Sequence, residues 1–557
     1  MKKIYYILLT VLITAFYSCN KDLLDTKPLD KFTGEAVWND ANLSAAFINN
    51  IYTDALTQYY SSVSDDWTDN VMLSEFGYAF NSMWNGDQLG PVIKTGVFDK
   101  SFDAGWNKYN IIRECDLAID NLTGNKVILP SQTTVMIAEA KLLRAITYHW
   151  LVRRFGGVII VDHALTPKDN LKLTRSSESD TYNFIIKDLE DAGKGLPAVV
   201  SQGRLSKYAA YGFLSRVLLD DGQYNLAIQY CDSVEQGNYV LDDYYNITKS
   251  FTSIINSPEI ILSMARDATH CIFGDTYMQR FLPGISNASL DPSCLTLFTG
   301  QGLAGWLQLY PPQELVDAYL FNEGGNAVQH FGTEFVGKYP GLMWKNRDAR
   351  FELTIVHDST LFYNQLVTIR EGGNCYHGSW PAVPSQQTAS GYYFRKFIFE
   401  DQPQGYPTPI NYALPLLRLG EIYLNKAEAY YRLGDLPNAI LYTNKTRTRH
   451  GQLPPINSVT SDEFYTLYKI ERRVELVYEN DRYWSLLRWA KADNASSIPE
   501  LTGQYHSLDI KKDGLVYIVP WFHITGSLTF DWPKRKYFPV PDAEILNNTN
   551  LTQNPNW

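Results

Sequence analysis

The chain of 557 residues has 45% hydrophobic and 20% charged side chains, enough apolar matter for a large core and too little charge for a disordered polymer. Lys and Arg total 49 against 60 Asp and Glu, a net charge of −11, and no long basic run is present to track a phosphate backbone, so nucleic acid is not expected as a partner. Aromatic residues reach 14%, and such side chains build cores but also make flat platforms for ligands.

In chain order, Met1-Lys2-Lys3 is a short basic start to the apolar run Ile4 to Tyr17, which is too short for a bilayer that needs about 20 residues. It reads as a signal peptide over residues 1–18. Ser18-Cys19 suits lipoprotein processing, with Cys19 acylated, and the alternative is an ordinary secretory signal that happens to contain a cysteine. Residues 19–31 are polar and without a helical stripe, a tether ahead of a single domain over 32–557. An exported, lipid-anchored and otherwise soluble protein is the expectation. A predicted loop at about 59–97 is followed by helical patterns at Ala104–Asn121, Thr133–Phe155, Glu178–Gly195 and Ala209–Leu219.

Gly222-Gln-Tyr-Asn-Leu-Ala227-Ile228 matches Gly434-Asp-Leu-Pro-Asn-Ala439-Ile440, with the same glycine-to-alanine spacing and an apolar helical stripe before each glycine, the second running from Leu416 to Leu433. A turn glycine followed by a small residue at a tight crossing is the pattern of tetratricopeptide-type helix pairs. The fold class expected is therefore all-α, with tetratricopeptide-like helices at about 104–240 and 412–492 and a large irregular, loop-rich face. That face comes from the insertions at about 59–97 and 251–411, where short apolar runs alternate with Gly, Pro, Ser and Asn. Lys469 to Ala492 reads as one long charged and apolar helix. Within it Glu471, Arg472, Arg473, Glu475, Glu479 and Arg482 are expected to pair along one helix face at i, i+4.

The cysteines after Cys19 show no CxxC pair and no zinc-ligand spacing. Cys115 and Cys231 fall in helical patterns as buried small residues, and a Cys271–Cys294 bridge is open in an exported chain. No cofactor or metal is expected, although a calcium site is not settled by the absence of a fixed Asp/Asn loop pattern. Gly300-Gln-Gly302-Leu-Ala-Gly305 is a literal G-x-G-x-x-G, but Pro311-Pro312 arrives before a phosphate-binding helix could run its course. H-E-x-x-H and G-x-S-x-G are both missing. The expectation is a protein that is not an enzyme.

The segment from Leu416 to Asp435 with Arg447-Thr-Arg449, in order with Ala138-Glu-Ala-Lys-Leu-Leu-Arg-Ala145, Phe155-Gly-Gly157, Gly203-Arg-Leu-Ser-Lys-Tyr-Ala-Ala210, Arg347-Asp-Ala-Arg350, Glu471 to Glu479, Phe538-Pro-Val-Pro and Gln553-Asn-Pro-Asn-Trp557, resembles the signatures of SusD-like (RagB/SusD) outer-membrane lipoproteins of Bacteroidetes. Ser485, Ile159 and His450 depart from that pattern, each at a position expected in the helical scaffold. The resemblance implies an outer-membrane lipoprotein facing the cell exterior. Its partner would be a SusC-like TonB-dependent transporter, over whose barrel it closes as a lid to deliver oligosaccharide. A peptide-binding uptake lipoprotein of the same family is the alternative, followed by a surface glycoside hydrolase, which needs only two carboxylates about 5–10 Å apart.

Sugar rings stack their C–H faces on aromatic rings while their hydroxyls need amide and carboxylate partners. The candidates are Trp84 with Asn85, then Tyr78 and Asn81, Trp67 in its Asp-rich stretch, Trp306 with Tyr310, and Tyr376 with Trp380. For each ring the alternative is a place in the core. Trp106 and Trp150 lie on helical stripes and are assigned to the core.

Overall fold

The computed structural model describes residues 34–61, 64–73, 105–201, 203–272, 276–282, 305, 307–373, 375, 388–402, 408–520 and 530–557. Its scaffold is helical: α1 (Ala41–Ser61), α2 (Tyr109–Leu122), α3 (Pro130–Phe155), α4 (Glu178–Gly195), α5 (Lys207–Asp221), α6 (Tyr224–Glu235), α7 (Leu419–Arg432), α8 (Leu436–Arg449), α9 (Ser461–Glu475) and α10 (Arg482–Ala492). From α2 to α9 each helix packs on the next, and α1 lies against α2 and α3. That nearest-neighbour order is the geometry of stacked helix pairs.

Local chemistry sets several of these ends. Ser177 caps α4 by accepting from Asp180 N, Ser206 caps α5 by accepting from Ala209 N, and Thr460 with Glu463 forms a capping box on α9. The repeated glycine turns fold alike: Gly222 and Gly434 follow α5 and the last residues of α7 with φ of 79° and 81°, a conformation open to glycine at little cost. Ala227 and Ala439, five residues on, are both fully buried where the second helix of each pair crosses the first. Cys115, Cys231, Trp106 and Trp150 are in the core as expected.

Two expectations are corrected. The apolar stretch from Leu416 does not begin as helix. Tyr412–Arg418 forms strand β5, antiparallel to β2 (Ile260–Arg266), with register shifts after Pro415, and α7 starts only at Leu419. A short run buried on both faces has no periodicity to separate strand from helix. Here α5 decides the matter by presenting Gly212, where a Cβ would stand 2.4 Å from Leu417.

The second correction is the long helix over 469–492, which is two helices broken at 476–481. Tyr478 and Asn480 have positive φ there. Groups from elsewhere hold the break: Asn480 Oδ1 accepts from Ser64 N at 2.8 Å, Asp65 Oδ1 from Tyr478 N at 3.2 Å, and the Val477 carbonyl from Lys396 Nζ at 2.8 Å. Tyr244 Oη and Arg418 Nη2 both donate to the Glu475 carbonyl.

The insertion over 251–411 carries a second hydrophobic core, with Phe281, Tyr319, Phe351, Tyr392, Phe394 and Phe397 among its buried residues. Two-residue strands thread it: β1 (Met72–Leu73) pairs with β3 (Leu309–Tyr310), and β4 (Tyr393–Phe394) lies beside β3.

The helical and the loop-rich cores meet across a buried ion network. Arg350 contacts Asp348, Glu471 and Glu475, while Arg418 contacts Glu259, Glu475 and Glu479. Of the charged positions of 471–482, Arg472 pairs with Asp481 over the break, while Glu471 and Glu475 reach Arg350 and both Arg473 and Arg482 reach Asp69, rather than pairing along one helix face.

Candidate functional site

The sequence places its ligand candidates on three segments, and described residues at one end of each lie in or near the second core. The first segment leaves from β1 at Leu73. The second returns at Gly305 and Leu307, where Leu307 N donates to Leu282 O at 2.9 Å and Gln308 N to Arg280 O at 2.7 Å before β3 pairs with β1. The third lies between Cys375, whose N donates to Thr368 O, and Thr388, just ahead of β4. β1 pairs with β3 and β3 lies beside β4, so one end of each segment is rooted in or near the second core, while the far end of the first, at Gly105, packs against Trp150 of the helical core.

The root at β1 is rigid. Residues Ser64–Trp67 form a buried helical turn, and the polar side chains around it are tied to distant elements: Asp66 to Arg280 at 2.7 Å, and Asp69 to both Arg473 and Arg482. Asn70 Oδ1 accepts from Arg473 Nε at 2.8 Å and its Nδ2 donates to Asp65 Oδ1 at 2.8 Å. Two arginines hold the Asp69 carboxyl below its usual range against the opposing effect of burial.

Burial pushes Asp65 up to about 7, against the hydrogen bonds it accepts from Asn70 and Tyr478. Asp65→Asn is expected to stabilise the protein by on the order of 2 kcal/mol above pH 7, with the gain fading towards pH 4. The folded form holds its proton up to about pH 7 while the unfolded form releases it near 3.8, so wild-type stability falls across that window and the carboxamide does not titrate. Urea denaturation of both proteins at pH 4.5 and 8 measures it; an equal difference at the two pH values would refute the assignment.

Trp67, expected among the ligand-contacting rings, is 1% exposed and meets Tyr483, Trp484 and Phe538 edge to face. Tyr310 is 2% exposed in β3. Neither ring presents a face to a ligand in this structure: the Asp-rich stretch around Trp67 is a plug at the root, and Tyr310 is part of the second core. Tyr78, Asn81, Trp84, Asn85, Trp306, Tyr376, Trp380, the lipidation candidate Cys19 and the cysteine partner Cys294 lie outside the described residues.

Among the described residues Glu259, His450 and Glu475 form a buried carboxylate–imidazole cluster of a size that could hold a cation. His450 Nδ1 lies 2.8 Å from Glu475 and Nε2 3.2 Å from Glu259. Burial alone would lower the imidazole, but the two carboxylates raise it to about 10, so both nitrogens carry protons at neutral pH. The imidazolium and Arg418 fill the cationic role in this cluster. Nothing in the sequence around His450 signals it, because Glu259 and Glu475 are remote along the chain.

The motifs of the sequence analysis also meet in space. Arg204 of the Gly203 motif bonds both oxygens of Glu139 in the Ala138 motif, and Asn554 of the C-terminal motif donates to the carbonyls of Phe155 and Phe538. Next to Phe155, Gly157 is required because a Cβ would stand 2.0 Å from Ser176 O. These motifs build scaffold rather than ligand face.

Comparison with known proteins agrees with this architecture. A family model described as the SusD family matches residues 258–557, and one described as starch-binding associating with outer membrane matches residues 22–219. SusD-like protein P38 of Formosa agariphila is 24% identical over 522 residues, spanning 88% of this chain and 93% of that protein. A crystal structure of a SusD-like protein from Bacteroides fragilis superposes over 96% of this chain and 100% of its own with a TM-score of 0.78 at 24% identity. A laminarin-binding SusD-like protein covers 92% of this chain and 99% of its own at 22% identity and 0.66. The overall fold is thus shared along nearly the whole length, and with more than half of its residues matched by the family model this chain belongs to the SusD family.

Proposed function

We propose that this protein is a cell-surface lipoprotein, anchored through Cys19 in the outer membrane, that captures oligosaccharide and delivers it to a SusC-like TonB-dependent transporter as the lid of its barrel. The observation that carries the reading is that the three segments bearing Tyr78, Asn81, Trp84, Asn85, Trp306, Tyr376 and Trp380 each have one end in or near the second core. Aromatic and amide side chains suit a sugar, whose C–H faces stack while its hydroxyls bond. The starch-binding description of the family model and the laminarin-binding relative support glycan as the class of ligand. No described helix is long and apolar enough to cross a membrane. Capture and gating require no chemical step, only a ligand affinity that differs between open and closed states.

The test is calorimetry of the soluble form beginning after Cys19 against laminarin, starch and a panel of plant, fungal and host polysaccharides, with reducing ends assayed in parallel. Binding without new reducing ends, weakened roughly tenfold or more by Trp84→Ala, is the expected result. Absence of binding to every glycan, with binding to peptides, would transfer the protein to peptide uptake, and release of sugar would make it a hydrolase.

A further inference from the structure

A cleft of about 470 Å³ opens between the α4–α5 connection, the residues after α6 and strand β2. It lies apart from the root described above, and none of its lining residues belongs to the three segments that carry the candidate aromatics. Its size falls within the roughly 300–1,000 Å³ of small-molecule sites.

Two tyrosines stand in its wall. Tyr208, in the first turn of α5, and Tyr239, just past α6, meet edge to face with centroids 5.6 Å apart and planes at 88°. Both are half-buried, which fixes the rings while leaving part of each open. Around them Ser201, Gln236 and Asn238 are exposed and bring a hydroxyl and two amides to the same opening, and the backbone of Ile260 to Ser263 lines the opposite side. Arg204 bonds both oxygens of Glu139, and the Lys207 ammonium lies 5.0 Å from the centroid of the Tyr208 ring. A wall of aromatic edges and faces with neutral donors and acceptors beside them suits a polyhydroxylated ligand.

We propose that this cleft is a second carbohydrate subsite that holds a short stretch of a glycan whose main contact is at the three loop segments. The inference rests on the reading of the protein as a glycan-capture lipoprotein. Two sites on one body turn the second contact into an intramolecular event, so a polymer long enough to reach both gains avidity while a short oligosaccharide does not.

The experiment is hydrogen exchange across residues 198–208 and 236–263 of the full-length protein with laminarin, starch and short oligosaccharides of each, combined with calorimetry of Tyr239→Ala and of the exposed double variant Gln236→Ala, Asn238→Ala. The double variant changes two side chains outside the core and so keeps the test valid if Tyr239→Ala folds poorly. The expected result is protection of both segments by a polysaccharide, protection that survives in Trp84→Ala, and a loss of about fivefold or more in polymer affinity in the double variant with short-oligosaccharide affinity unchanged. Glycan binding by the wild type without protection of these segments would overturn the subsite and leave the capture reading intact. Protection and affinity that survive Trp84→Ala in full would instead move the main site to the cleft. Failure of every glycan to bind overturns both readings, and protection by an extended peptide in place of glycan overturns the carbohydrate assignment.

Discussion

Arg418→Ala is expected to lower the stability of the protein by at least about 3–5 kcal/mol, the usual cost of removing one partner from a buried ion pair and leaving the other charged. Arg418 is 1% exposed and is shared by three carboxylates, those of Glu259, Glu475 and Glu479, the last gripped by Nε at 2.7 Å and Nη2 at 2.9 Å. Its Nη2 also donates to the Glu475 carbonyl, one of the groups exposed by the break between α9 and α10. Alanine would take one cation from each of these acids, leaving Glu259 to His450, Glu475 to Arg350 and His450, and Glu479 to Lys396, and would loosen the break in the same step. Lysine would restore the charge but not the planar fork, so Arg418→Lys is expected between wild type and alanine. Urea midpoints of the three proteins measure it; an alanine variant with the wild-type midpoint would show that the network does not hold the two cores together.

His450→Gln is expected to cost about 3–5 kcal/mol at pH 6, and the cost is expected to shrink as the pH rises towards 10. The imidazolium sits between Glu475 and Glu259, under the ring of Tyr244 at 5.4 Å and beside Arg418, which contacts the same two carboxylates. Because the folded form binds the proton more tightly than the unfolded form, the contribution is complete below the ordinary value of 6.5. It declines above that and is gone once the pH passes the folded value near 10. Glutamine carries no charge at any pH, so the difference between the two proteins isolates this one group from everything else that titrates. Thermal denaturation of both from pH 6 to 10 gives the comparison, and a gap that stays constant across the range would rule out a charged histidine in the folded state.

His450 also shows where reading the chain reached its limit. Its replacement of the family's usual residue is visible in the sequence, and its place in the scaffold is as expected. That it completes a buried cluster required Glu259 and Glu475 to be brought together by β2 and α9. The charged run over 471–482 was read as a set of i, i+4 pairs for the same reason, because spacing describes neighbours on one helix and says nothing of Arg350, Arg418 or Asp69 arriving from outside. The ligand candidates divide similarly. Residue type separates an aromatic-rich loop from a helix, but burial of Trp67 and Tyr310 follows from what packs on them. The pairing of Tyr208 with Tyr239 depends on the turn at Gly222 folding α6 back along α5.

What the chain determines by itself are features whose causes are local. The helix over Glu178–Gly195 has its serine cap in front and Leu196-Pro197 behind, and the matched turns at Gly222 and Gly434 need only a residue that accepts positive φ. The tertiary structure decided the rest. Tyr412–Arg418 is a strand because β2 and α5 flank it, and the helix stops at Glu475 because Lys396, Arg418, Tyr244 and Asp65 capture the backbone groups that another turn would have bonded, while Ser64 N holds the Asn480 side chain. A backbone hydrogen bond within a helix and one to a buried side chain are of similar strength, so the choice between them falls to whichever partner the fold delivers.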